Sequence, residues 1–257
     1  SETRFDETQR LADLIEQIFA RKEPSITGQG HSLAMSLACS RMSPVAQLDH
    51  QFGGLEGIHR LQKHREALSR AVERDKLIAR MQELHETLLM SPKQFLLIDE
   101  ADRKNTLVAD LVANWDDNLD AQLQTQLSLQ PVREQIIEAW STSTQVSFCA
   151  KAYPTVPSGH PDAPALSVLA AFLRNGFLHR TIREQGGAYG GGASHDANIA
   201  AFRFFSYRDP RLVETLDDFD ASIAWLLETQ HEQLALEEAI LSAVSYTHLT
   251  LPTTPYV

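Results

Sequence analysis

Cysteine is scarce, basic charge is in deficit, and long apolar runs are missing. The two cysteines, Cys39 and Cys149, sit far apart in strand-like runs. They read as small buried hydrophobes rather than a disulfide or a metal pair. Their scarcity leans towards a cytoplasmic setting. Lys and Arg number 23 against 34 Asp and Glu, a formal charge of −11. That balance argues against nucleic acid, whose phosphates need basic neutralisation. No apolar run approaches the ~18–20 residues of a membrane helix, so no membrane partner is expected.

Several catalytic signatures are missing too. Among ten histidines there is no His-x-x-Glu-His and no His pair at i, i+4 beside an acid, so no metal site is expected within the chain. No Gly-x-Ser-x-Gly is present, which excludes a nucleophile elbow. The glycine run Gly186–Gly192 has no following Gly-Lys-Ser/Thr. It also follows a helix, whereas a phosphate loop leads into one.

What is present is a globular composition, 43% hydrophobic and 22% charged over 257 residues. That suits one large domain or two of ordinary size. Leu11, Leu14, Ile15, Ile18 and Phe19 mark one face of a helix, which Pro24 and Gly28 end. Leu33, Met35, Leu37 and Cys39 alternate with small residues, the period of a strand. Ser43-Pro44 reads as an N-cap followed by Pro at the first helical position, with a short helix to Gly53-Gly54 and another from Leu55. Val72–Met90 reads as a helix with Ile78, Met81, Leu84 and Leu88 as its stripe. Phe95–Ile98 reads as a short strand, and Asp102 as the cap of a helix bearing Leu107 to Trp115.

Residues 116–130 are polar and read as a linker, which places a domain boundary near 130. Beyond it come a strand around Val146–Ala152, a proline-rich loop, a helix over about 165–183 and a hairpin. Asp209-Pro210 then opens a helix, and a last helix starts near Leu236. The expected fold class is α+β, two domains, each an antiparallel sheet with helices packed on one face. Residues 245–257 lack Asp, Glu, Lys and Arg and are rich in Thr and Pro. They are read as a non-native tail.

The chain is organised around Leu166–Tyr207, where an apolar helix ends on a double glycine and a glycine-studded segment runs into a hydrophobic strand. Five of the twelve glycines fall between Gly186 and Gly192. Arg183 and Tyr189 flank this bare backbone. Two readings stand side by side. In one, Arg183 complements a helix C-terminus, a glycine caps it, and Tyr189 is a strand aromatic. In the other, the Arg fork and the phenol orient a peptide carbonyl or stabilise an oxyanion, and the glycines leave room for the peptide backbone.

The segments IREQGGAYGGGA at 182–193 and AFRFFSYRDPRLVETLDDF at 201–219, with SPVAQL at 43–48, resemble the pitrilysin/insulinase family of zinc metallopeptidases, in its presequence-protease branch. The resemblance implies a clamshell of two homologous halves around a closed chamber. It implies zinc held in the N-terminal half by His-x-x-Glu-His and a distal Glu, and an Arg and a Tyr of the fourth domain reaching towards substrate. Those two match Arg183 and Tyr189, with Gly187, Gly190 and Gly191 as the substrate seat. On this basis residues 1–130 are part of the third domain and 131–244 most of the fourth. The partners implied are a peptide substrate and the N-terminal half of the same polypeptide, and zinc belongs to that half. The chain by itself is then inactive. The alternative is a non-catalytic scaffold or processing-complex subunit of the same fold.

Overall fold

The computed structural model describes residues 3–91, 95–98, 100, 103–114 and 135–248. Among these residues, helices come first: α1 (Thr8–Gly28), α2 (Gly30–Cys39), α3 (Pro44–Gly53), α4 (Leu55–Ala67), α5 (Ala71–Met90) and α6 (Lys104–Asn114). Then follow β1 (Ala150–Pro154), α7 (Ala163–Leu173), a π-helix (Arg174–Gln185), β2 (Gly190–Asp196), β3 (Ala201–Tyr207), α8 (Val213–Glu228) and α9 (Gln233–His248). The linker 116–130, Asp102 and Trp115 lie outside the described residues. So do 249–257, while α9 runs on through 245–248.

The fold is α+β. Contacts group the chain into two compact units. One comprises Ser1–Glu16 with Lys63–Ser128, the other Gln17–Gln62 with Leu129–Val257. In the first unit α5 forms where periodicity places it, but none of its side chains is buried. Phe95–Ile98 is not a strand there, and all four side chains are exposed. A run of four apolar residues carries no periodicity to tell strand from coil.

The second unit is built on an antiparallel sheet of order β1-β3-β2. The register sets Ala150 and Gly192 on either side of Phe205, and Lys151 and Ala193 on either side of Phe204. Side chains alternate across a strand, so Phe202 and Phe204 point to one face and Ala201, Phe205 and Tyr207 to the other. The first face meets Leu173, Leu178, Ile182 and Phe219 from α7, the π-helix and α8 in one buried cluster. Ala201 on the second face packs with Cys39 and Ala46, and the His31 ring lies 4.7 Å from that of Tyr207. Helices therefore cover both faces of this sheet, where the sequence suggested one.

The second cover is α2, the segment expected to be a strand. Its large–small alternation imitates strand period, but the same small residues let a helix lie close on a sheet. At Gly30 a Cβ would collide with the Phe148 ring, so glycine is what permits this approach. The Ser43 cap forms as its sequence predicts, with the Ala46 N–H donating to Ser43 Oγ at 3.2 Å. Pro24 does not end α1, which runs on to Gly28. Both cysteines are free and buried, and burial pushes the Cys39 thiol up to about 11.

Asp209-Pro210 does not open α8 either. The helix starts at Val213, with no side-chain cap at Leu212. Asp209 is fully buried. It accepts the Arg211 N–H at 3.0 Å and the Thr215 hydroxyl at 2.7 Å. Aspartate here closes a local turn on its own backbone, the alternative use of a short carboxylate.

Candidate substrate corner

The chain between the π-helix and β2 is fixed by backbone hydrogen bonds. The Ile182 carbonyl accepts from Ala188 N–H, and the Arg183 carbonyl accepts from Gly187 N–H, both at 3.1 Å. This is a Schellman-like reversal. Gly187 takes φ +81°, where any L side chain is strained. Tyr189 N–H then donates to the carbonyl of Tyr207 at 3.1 Å, which ties the corner to β3.

The side chains around this backbone are held from three directions. Ile182 is fully buried beneath the corner. Arg211 passes behind it: its guanidinium bonds Asp218 at 3.0 Å and the Thr181 carbonyl at 3.5 Å. It also fills the space a Cβ on Gly186 would occupy. The Tyr189 ring meets Tyr207 edge-on at 5.3 Å, and Tyr207 is buttressed by His31. Burial lowers the His31 imidazole below its ordinary value. Arg208 adopts φ 49°, unusual for a bulky residue, and its guanidinium carbon sits 5.5 Å from the Tyr207 ring centre.

Arg183 and Tyr189 are both exposed at this corner, Tyr189 to 66%. No hydrogen bond links them; Arg183 contacts His179 at 3.4 Å. Of the corner glycines, Gly190 has nothing within 4 Å of a notional Cβ. Gly191 differs: its Cβ would sit 2.7 Å from Ile182 Cγ2. Gly190→Ala is therefore expected to leave stability within about 0.5 kcal/mol of the parent. Gly191→Ala is expected to cost about 1–3 kcal/mol through overpacking against a buried Ile. Urea denaturation of both variants checks this, and equal midpoints would contradict it.

Sequence reasoning passed over Arg211, Tyr207, Arg208 and His31, the residues that hold the corner. The only signal was the run Tyr207–Arg211, where an aspartate–proline turn lies between two arginines. No group of three or more His, Cys, Asp or Glu able to hold a metal ion occurs among the described residues. Zinc therefore does not fit this part of the chain, and no chemical step in it is routed through a metal.

Residues 137–248 match the family description "PreP C-terminal domain", and residues 1–64 match the region associated with subfamily C of the M16 peptidases. A mitochondrial presequence protease of Yarrowia lipolytica is 32% identical over 243 residues, covering 93% of this chain and 24% of the relative. One from Drosophila melanogaster is 30% identical over 254 residues, 94% of this chain and 23% of the relative. One from Danio rerio is 26% identical over 270 residues, 94% and 26%. The chain thus spans about a quarter of the length of the curated relatives it matches. All three carry "mitochondrial" in their names, and a fourth from Arabidopsis thaliana is named chloroplastic/mitochondrial. This overturns the cytoplasmic leaning drawn from cysteine scarcity. Two buried free thiols report a fold without a disulfide and do not distinguish one reducing compartment from another. The chain belongs to the pitrilysin/insulinase (M16) family as a presequence-protease-like domain, matching mostly the C-terminal portion of longer relatives.

Proposed function

We propose that this chain is the substrate-binding C-terminal portion of a zinc-dependent endopeptidase that degrades peptides within a closed chamber. Residues 1–130 form part of its third domain and 131–244 most of its fourth. Zinc and its ligands come from the N-terminal half of the same polypeptide. Arg183 and Tyr189 bind the peptide near the bond to be cleaved, and Gly187, Gly190 and Gly191 bare the backbone beneath it.

One observation carries this reading. Two donors, a guanidinium and a phenol, stand exposed at a corner whose backbone is pinned by its own hydrogen bonds. A pinned corner holds donors in place before substrate arrives, which is what stabilising a developing charge requires. Arg supplies a planar fork and Tyr a single phenolic donor, and the two together suit one carbonyl oxygen.

The test uses a disordered fluorogenic peptide. The 257-residue chain alone is expected to cleave none of it. Joined to a zinc-bearing N-terminal half, it is expected to show turnover that a chelator abolishes. Chelator-sensitive turnover by this chain alone would overturn the proposal. So would a joined enzyme with no turnover, which would leave the chain a scaffold.

A further inference from the structure

The helix that delivers Arg183 is wound as a π-helix over its whole last section, Arg174–Gln185. That winding is uncommon and is found frequently at functional sites. Here it has a local consequence. In an α-helix the side chain at i+5 lies about 140° around the axis from the one at i. A π turn closes from i to i+5 instead, so positions i+4 and i+5 return to flank position i. His179 is such a position, flanked by Arg183 and Glu184.

Both neighbours contact it. His179 Nε2 lies 3.4 Å from an Arg183 guanidinium nitrogen, and His179 Nδ1 lies 3.4 Å from Glu184 Oε1. The chemistry allows one arrangement of protons. Arginine is always charged and only donates, so Nε2 must accept and carries no hydrogen. The single ring proton of neutral imidazole is then on Nδ1, where the Glu184 carboxylate accepts it. Glu184 thus selects the tautomer whose free lone pair faces Arg183. This is how a carboxylate behind an imidazole sets which nitrogen is free.

We infer that His179 is a positioning residue for Arg183: locked in its Nδ1–H form by Glu184, it holds the guanidinium at the corner beside Tyr189. The inference rests on the substrate-binding reading above. An Arg side chain has many rotamers, and an acceptor one helical turn behind it removes most of them before the peptide arrives. A carbonyl then meets a donor already aimed.

Two experiments separate this inference from the reading it rests on. The first needs no catalysis. In the 257-residue chain with ¹⁵N-labelled histidine, long-range proton–nitrogen spectra report the tautomer of each ring, and His179→Gln identifies the signal. The expected result is protonated Nδ1 and bare Nε2 at neutral pH, with Arg183→Ala shifting the Nε2 resonance and Glu184→Gln the Nδ1 resonance. A ring protonated at Nε2, or one indifferent to both substitutions, overturns the inference.

The second is turnover in the zinc-bearing, joined enzyme. A misplacement of about 1 Å costs up to about 100-fold, so loss of an aiming contact is expected to lower kcat roughly 10-fold in His179→Ala, with KM little changed. His179→Gln is expected to recover most of this, since its amide oxygen can accept where Nε2 did. If Arg183→Ala lowers kcat and His179→Ala does not, the inference is overturned while the substrate corner stands. If Arg183→Ala has no effect, the corner reading falls, and the tautomer measurement alone decides the His179–Arg183 bond.

Discussion

Phe204→Ala is expected to destabilise the unit built on the β1-β3-β2 sheet by about 3–5 kcal/mol, the range for emptying a buried phenylalanine site. Phe204 is 1% exposed and sits on β3, the central strand. Its ring stacks on Phe219 of α8 at 5.6 Å and meets Phe202 edge-on at 5.3 Å. Phe219 is fully buried as well, so the neighbours have little freedom to collapse into the void. An aromatic pair adds roughly 0.5–1.5 kcal/mol beyond the area it buries. Domains are held by only about 5–15 kcal/mol, so this loss is a large share of the total. Trp225 packs against the same cluster and reports its loss. The check is the urea midpoint followed by tryptophan fluorescence. Leu88→Ser on α5, at a side chain 68% exposed, is the control; its expected change is within about 0.5 kcal/mol. Equal shifts in the two variants would mean that the core is not where the buried rings place it.

Much of this second unit was legible because its signals are periodic. The order strand, helix, strand, strand, helix, helix emerges as β1, α7 with its π extension, β2, β3, α8 and α9. The Ser43-Pro44 start holds because a cap acts within about four residues and needs no tertiary help. Failures came where a pattern has two physical solutions. Residues 33–39 alternate large and small, which suits either a strand covered on both sides or a helix pressed onto a sheet. The partner decides, and here Phe148 and Gly30 meet at the helix. Asp209 could cap a helix or close a turn; burial beside Thr215 selected the turn.

The corner was legible in part for the same reason. Glycine density and its two flanking donors could be read directly. Which glycines are open could not: Gly191 abuts Ile182 of the preceding helix, while Gly190 faces nothing. Nor could the π winding, since an α-helical wheel turns His179 and Glu184 away from each other. The first region also proved less separate than its composition suggested. His31, in a stretch read as carrying no chemistry, lies against Tyr207, and Tyr207 meets the ring of Tyr189. The support of the proposed site therefore draws on sequence far upstream of it.

Arg183→Ala and Tyr189→Phe should each reduce kcat on a disordered peptide by roughly 10²-fold in the complete, zinc-bearing enzyme, since removal of one donor to a developing oxyanion costs about 10²–10³. KM should change little, because a contact made mainly in the transition state contributes little to ground-state binding. The geometry makes Tyr189→Phe the cleaner of the two. Phenylalanine keeps the edge-on contact with Tyr207 and the N–H bond to the Tyr207 carbonyl, so only the hydroxyl is lost. The ring that carries it is exposed, so the hydroxyl keeps its access to water. Folding stability should accordingly stay within about 0.5 kcal/mol of the parent. A purely structural Tyr189 predicts no kinetic effect from this substitution at all. Arg183 is bonded to His179, so its removal combines a lost donor with a released imidazole. The double variant discriminates further. Two donors serving one oxyanion act as a unit, and their combined loss should fall short of the product of the single losses. Two independent contacts would multiply, and a fully multiplicative double variant would separate Arg183 and Tyr189 into distinct substrate contacts.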